Sequence, residues 1–400
     1  MRIGAILSLE RIAQDSTTYD SGRDHVRVME ILCAYLRENS PAEQVQNGSK
    51  TPKDDGPETA PNKKIVELSH LLHKPYLGQP YFSPVWRWAH NLPNPRADTA
   101  LVLRVLGRRS KEQLMVEAAW PNPPNKDTIW PFDNAFPEPP KTNSSAPRSA
   151  ERVTNHKENI DRWKNQLSNY SGYRLNLSNL NLQRADMSAI LPDGSDAVFS
   201  GATFEGTYLD GADLTRTRLE GAKLLSISLT GATLNEARLQ GAALNPDRME
   251  AATFSRAKLQ GADLRAANMH GAILADSDLT AAFMFRVDLR DANLTRAKLE
   301  ATVLNSAQIS NAILDGATFD SITDWTNATL QGAAVQHCNF SATRIAYEQI
   351  TTTFGDGSTA LPAGMARPAH WPKATLGFFE FDNEYNKWRE NPAAYAPPAP

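Results

Sequence analysis

The sequence predicts a mainly β fold: a solenoid of short extended pieces joined by tight corners, with helices before it and a capping segment after it. Three observations predict it. Every fifth residue from Phe199 to Phe319 is large and apolar, 25 positions in a row. The residue two places before each is small, mostly alanine (Ala202, Ala212, Ala222, Ala232), with Thr207, Thr217, Ser277 and Thr302 as substitutes. Glycine recurs at the bend between units, as at Gly201, Gly221, Gly241 and Gly261.

A period of five excludes the common elements. On an α-helix a step of five rotates the side chain by about 140°, which would smear the leucines around the cylinder. In a strand it would send them alternately to opposite faces. A short extended piece followed by a corner keeps the large residue and its small neighbour pointing inward, so that leucines stack along an axis. The units GADLTRTRLEGAKL, GADLRAANMHGAIL and DANLTRAKLEATVL resemble the A-(D/N)-L-x-x units of pentapeptide repeat proteins. That resemblance covers about Arg174 to Ile350. It implies a right-handed quadrilateral β-helix with one pentad per side and four per coil.

Residues 3–14 read as a helix (Ile6, Leu9, Ile12, Ala13), and 25–39 as a stronger amphipathic one through Val28, Ile31, Leu32, Tyr35 and Leu36, stopped by Ser40-Pro41. An insertion at 41–96 is irregular, with a short helix near Lys64–Leu72 and a proline- and aromatic-rich stretch from Pro75 to Trp88. Asp98 caps a further helix ending at Gly107, apolar nearly all round and so expected to be buried. These make a helical module over 1–118. Eight prolines between 121 and 147 make 119–150 a stiff, extended linker. A helix within 151–172, with Val153, Ile160, Trp163 and Leu167 on one flank, is placed to cap the first coil, because an open solenoid end invites aggregation.

The coils occupy 173–350. They begin at Leu177, Leu182 and Met187, break at a loop from Pro192 to Asp196, and run on to Phe319. The phase then slips by one, to Trp325, Leu330, Val335, Phe340, Ile345 and Ile350. Asp247, beside Pro246, stands in a small-residue slot and predicts a distorted corner. Residues 351–400 read as a C-terminal cap and tail, with Phe381, Tyr385 and Trp388 on one helical face and the last Ala/Pro residues disordered. IGAILSLERIAQDS, ADTALVLRVLGRR and TFGDGSTALPAGMARPAHWP resemble segments of a bacterial group of these proteins with helices before the repeats. In that group membrane-spanning helices often come first. The resemblance therefore implies a true start upstream of Met1 or a lost membrane anchor.

Composition narrows function. The net charge is −3, and from Ala197 to Phe319 there are 14 acidic against 12 basic residues, so direct nucleic-acid binding is not expected. Two distant cysteines, Cys33 and Cys338, suggest a reducing, cytoplasmic setting, with Cys338 in an inward small slot. No apolar run reaches membrane-spanning length. No catalytic, cofactor or metal motif is present. His70 and His73 lack a third ligand and read as surface residues, and Asp288 and Asp291 read as solvated. Trp86, Trp88, Trp120 and Trp130 read as pins between loops and a neighbouring domain, with partner docking as the other option. The expected role is a non-catalytic protein-interaction scaffold, monomeric or homo-oligomeric. The alternative is mimicry of duplex DNA towards a topoisomerase, a role that some members of the family perform.

Overall fold

The computed structural model describes residues 2–19, 22–45, 83–137, 150–188, 195–245 and 248–398. From Asn176 to Ala360 the backbone winds in four-sided coils. Val198 bridges in parallel to Arg218, Arg218 to Arg238, and Arg238 to Lys258, each step being twenty residues, and the other three sides repeat the pattern. Each side supplies a single bridged residue, so the wall is a stack of one-residue rungs rather than a sheet of long strands.

Backbone hydrogen bonding explains why five residues suffice. Around Leu214, the Asp213 N–H donates to the Ala185 carbonyl on the preceding coil (2.9 Å), while the Leu214 and Arg216 N–H groups donate to Thr233 and Asn235 on the next (2.7 and 2.9 Å). The Thr217 N–H closes the corner onto the Leu214 carbonyl (3.1 Å). One donor is left over, that of Thr215, and the Asp213 carboxylate accepts it at 2.9 Å. The same bond recurs from Arg265 to Asp263, His270 to Asn268, Arg290 to Asp288 and Thr295 to Asn293. Asp or Asn before the leucine is thus the acceptor for the one N–H that no carbonyl reaches.

The inward column is dry. From Phe199 to Leu314 every fifth residue is no more than 1% exposed. Phe319, the last of the series, is half-buried and stacks on Phe340. Small-slot hydroxyls turn back to carbonyls, as Thr217 Oγ1 does to Leu214 at 2.7 Å, and Cys338 packs in such a slot.

The corner conformation is more demanding than glycine spacing suggests. All 23 described corner positions from 201 to 316 have φ between 53° and 70°, and only nine of them are glycine. A positive φ at the third of four turn residues is the type II signature, and it costs an L-residue about 1 kcal/mol. Six of the nine glycines instead mark corners on which other elements sit. A methyl group at Gly201 or Gly221 would lie 2.4 or 2.5 Å from Phe132; at Gly241 it would meet Leu167 at 2.8 Å, and at Gly211 the Ala89 carbonyl at 2.5 Å.

The N-terminal end is closed by the helical module. Helices α1 (Arg2–Tyr19) and α2 (Arg23–Asn39) form a hairpin, followed by α3 (Pro84–His90), α4 (Ala97–Gly107) and α5 (Lys111–Ala119). Helix α3 falls in the stretch read as irregular, and Ser83 caps it by accepting the Val85 N–H at 3.1 Å. Helix α4 begins one residue ahead of Asp98, whose carboxylate is taken by Tyr35 (2.7 Å) and Arg96 (2.6 Å) rather than standing at the N-cap. Leu32, Leu36, Val102 and Leu106 continue the core of Leu175, Leu177 and Phe199. The first rungs pair with the module: the Asn181 N–H donates to Ser40 (2.7 Å), and that of Val198 to Gly107 (2.9 Å). A buried ionic cluster joins the parts. Glu117 accepts from Arg109 at 2.5 Å and lies 2.9 Å from His25 Nε2, and Arg109 also bonds the Val198 carbonyl.

Helix α6 (Ala150–Ser168), expected over the first coil, lies along the flank instead. Trp163 and Leu167 meet the corner at Gly241, and Lys164 reaches the corner at Gly261 and the Phe283 ring. The stretch expected to be an extended linker is docked over 130–136. Pro131 opens a short 3₁₀ turn (Pro131–Asp133) that turns Trp130 and Phe132 against the wall, and Asp133 accepts from Arg218 at 2.6 Å.

The phase slip is real. From Val303–Asp324 to Ile313–Ala334 the bridging step is 21, and the Asp320 carboxylate accepts the Ile322 and Thr323 N–H groups at 3.1 Å around the extra residue. In the first coil the step is 27, from Asn176 to Thr203, longer than the regular coil of twenty. The loop expected from Pro192 to Asp196 (as far as residue 194), Asp247, and the helix expected near Lys64–Leu72 lie outside the described residues. Ile345 and Ile350 stay buried, but the chain there makes a helical turn, α7 (Tyr347–Ile350), not another pentad. Its Gln349 amide donates to the Trp325 and Ala328 carbonyls at 2.8 Å, which ties the turn onto the coil below. Trp371 covers the core beyond it, and α8 (Phe378–Glu390) lays Phe381, Tyr385 and Trp388 on Phe354 and Ala334. Just before the final Ala/Pro residues the chain is held at Tyr395, whose hydroxyl donates to Glu384 at 2.8 Å.

Candidate interaction surface

With both ends closed, what the molecule presents is its walls. Two corners are partly occupied from within. Residues 130–136 and α6 cover the one marked by Gly201, Gly221, Gly241 and Gly261. Helix α3 covers the one at Gly211 and Gly231. Further along that second corner α8 is bonded to it, Tyr385 Oη donating to the Gly332 carbonyl at 2.7 Å.

The docked corner at Gly201–Gly261 carries its own buried polar contacts. Arg218 bonds both Asp133 (2.6 Å) and Glu220 (3.3 Å), and Ser200 Oγ donates to Glu220 at 2.5 Å. Burial pushes the Glu220 carboxyl above its ordinary range, and Arg218 and Ser200 oppose that shift. On the corner at Gly211, buried Asp210 accepts from Gln183 at 2.9 Å and from the Thr230 N–H at 3.1 Å, which links three successive coils.

Elsewhere a set of carboxylates is matched by cations. Within a pentad, Arg265 grips Asp263 and Arg290 grips Asp288, each through two bonds between 2.6 and 2.9 Å. Burial raises the Asp288 carboxyl, but the Arg290 bonds outweigh it and leave it below the ordinary carboxylate range. Between coils, the corner that follows Gly211 and Gly231 in the chain forms a row: Asp196, Arg216, Glu236, Arg256, Asp276, Arg296, then Asp315 and His337. Arg216 meets Asp196 at 2.9 Å, Arg256 meets Glu236 at 3.4 Å, Arg296 meets Asp276 at 2.7 Å and His337 meets Asp315 at 2.8 Å. Side chains one coil apart can pair because the ladder holds their backbones in register, about 4.8 Å apart.

Of the residues the sequence singles out, Asp288 is held by Arg290, and Asp291, at a corner, lies 3.6 Å from His270. Trp130 is buried edge-on to Phe132 and Tyr170, a pin to the wall, and Trp86 stacks on His90 within α3. Trp88 and Trp120 are half-buried, and His70 and His73 lie outside the described residues. Among the described residues no group of three His, Cys, Asp or Glu side chains converges as metal ligands. The charged row escapes a reading by fives, although every twentieth residue from 216 to 296 alternates in sign.

The pentapeptide repeats family matches residues 195–224, 212–245, 248–284 and 284–320, in eight copies. No curated protein matches the sequence. Among solved structures, HetL, a pentapeptide repeat protein involved in heterocyst differentiation regulation from the cyanobacterium Nostoc sp. strain PCC 7120, is 22% identical; the match covers 52% of this chain and 96% of that one, with a TM-score of 0.25. Full-length QnrB1, a plasmid-mediated fluoroquinolone resistance protein, is 16% identical over 47% of this chain and 84% of that one, with a TM-score of 0.25. Rfr23 from the cyanobacterium Cyanothece 51142 is 20% identical over 43% and 99%, with a TM-score of 0.15. The five-residue period, the four-sided coil and the family match agree: the solenoid of this chain is built of pentapeptide repeats.

Proposed function

We propose that this chain is a non-catalytic scaffold whose rigid walls bind a protein partner. One observation carries the reading: a set of wall charges is held in fixed pairs, between coils and within pentads, on a backbone whose register is set by the ladder. Such a surface offers a partner a pattern of preset donors and acceptors with little ordering left to do on binding. Among the described residues no helix is long and apolar enough to cross a membrane.

Mimicry of duplex DNA is the competing reading, and the same pairs weigh against it. It needs rows of uncompensated negative charge at about one per 1.7 Å, whereas Asp263, Asp276 and Asp288 each carry an arginine. The test is capture from the native host by the intact chain, set beside a variant with Arg265→Glu and Arg290→Glu. A defined protein held by the first and lost by the second, at equal melting temperature, supports the scaffold. Recovery of a topoisomerase whose supercoiling activity the chain inhibits would replace it with mimicry, and turnover of a substrate by the pure chain would refute a non-catalytic role.

A further inference from the structure

We propose that two copies of this chain pair edge to edge, antiparallel, along the charged corner that carries Arg216 to Asp315. From Arg216 onward the corner residues read plus, minus, plus, minus, plus, and Asp315, one place before the corner residue Gly316, adds a sixth, negative charge. Read from the other end, the signs are opposite at every place. A two-fold axis passing between Arg256 and Asp276 therefore sets each rung against a rung of opposite charge in the second copy. Closed dimers of this kind use one patch twice, and a patch that complements its own reverse is what such symmetry requires.

The geometry allows the contact. Arg216, Glu236, Arg256, Asp276 and Arg296 share one corner position with φ between 54° and 61°, so their side chains leave the wall in the same direction. Each backbone is bonded to the next coil, the Glu236 and Arg256 N–H groups donating to Ser255 and Ala275 at 2.9 Å. The heads reach solvent: the side chains of Arg256 and Arg296 are 70% and 54% exposed, those of Glu236 and Asp276 47% and 35%. Exposed pairs of this sort contribute little, so little is lost when a head group turns to share its partner with a second copy. What the row supplies is register and choice of partner. A second copy carries the matching alternation at the matching spacing by construction. The inference goes beyond the partner reading above, since a chain that never pairs still presents its other walls.

Sedimentation velocity on the full chain tests it, at about 50 mM and about 500 mM salt, where the screening length falls severalfold. The expected result is a dimer at low salt that loosens at least about ten-fold at high salt. Arg256→Glu and Asp276→Lys each set like charges together twice across the axis, and each is expected to weaken pairing about ten-fold or more. The double variant, Arg256→Glu with Asp276→Lys, restores opposite charges there and is expected to return to within about three-fold of the parent. A monomer at both salt concentrations overturns the proposal. So does a dimer that ignores salt and both single changes, or a double variant no tighter than the singles.

Discussion

At the scale of the residue, the coil asks for three things: a large inward side chain, a small one two places before it, and an acceptor between them. The acceptor is why Asp or Asn precedes so many leucines, and that part of the repeat can be read directly from the residues. Glycine is easier to misread. The left-handed corner recurs at all described positions from 201 to 316, yet arginine, alanine and serine occupy many of them. Gly271 and Gly221 separate the two reasons for a glycine. At Gly271 nothing lies within 4 Å of where a methyl would stand, whereas at Gly221 Phe132 is 2.5 Å away. Gly271→Ala is expected to cost about 1 kcal/mol, the conformational part alone. Gly221→Ala should cost at least about 1 kcal/mol more, because it also pushes Phe132 off the wall. Denaturant midpoints of the two variants, with Trp130 fluorescence following the docked segment, check the difference.

At the scale of the element, α2 was legible from its apolar stripe and α4 from an apolar run between Asp98 and Gly107. Helix α5 carried a signal too, in Ser110 and Gln113, whose reciprocal capping bonds are present. The place of α6 was not legible. A helix with Trp163 and Leu167 on one stripe reads the same whether it covers an end or a side. The clue lay in the solenoid, in glycines recurring every twenty residues at 201, 221, 241 and 261. Lys164 makes the docking of α6 sensitive to pH. Burial lowers its ammonium to about 8, while Asp161 and Asp263 pull the other way. Its folded value lies below the unfolded one of about 10.4, so the unfolded chain binds the extra proton between them, and stability rises with pH from about 8 to about 10.4. Lys164→Met should raise the melting temperature at about pH 7 and flatten its rise between about pH 8 and 10. Equal slopes for the two proteins would contradict this. The C-terminal segment gives the other element-scale test. Removing 360–400 takes away Trp371 and the three aromatic anchors of α8, exposing the last coil, and light scattering is expected to show aggregation; a soluble, monomeric product would count against a capping role.

At the scale of the whole molecule, the solenoid was legible because its period of five is strict, its four sides came only with the resemblance to pentapeptide repeat proteins, and the slip after Phe319 was legible because the period broke. The insertion at 41–96 has no period, and residues 46–82 of it lie outside those described. The twenty-residue step has a consequence for how this protein can change length. Excising 265–284, one full coil, returns every later side to its own wall, so the shortened chain should fold and keep its far-ultraviolet circular dichroism per residue. Excising five residues turns everything downstream by a quarter and carries the seat of α8 to another wall; that variant is expected to melt far lower. Growth and loss by whole coils are therefore tolerated by the fold, but they are not neutral for the charged edge. Dropping one rung leaves two neighbours of like sign, and dropping two restores the alternation. If copies do pair there, the molecule is counting its coils in evens and odds, and insertions that arrive in twos are the ones it can absorb without losing its twin.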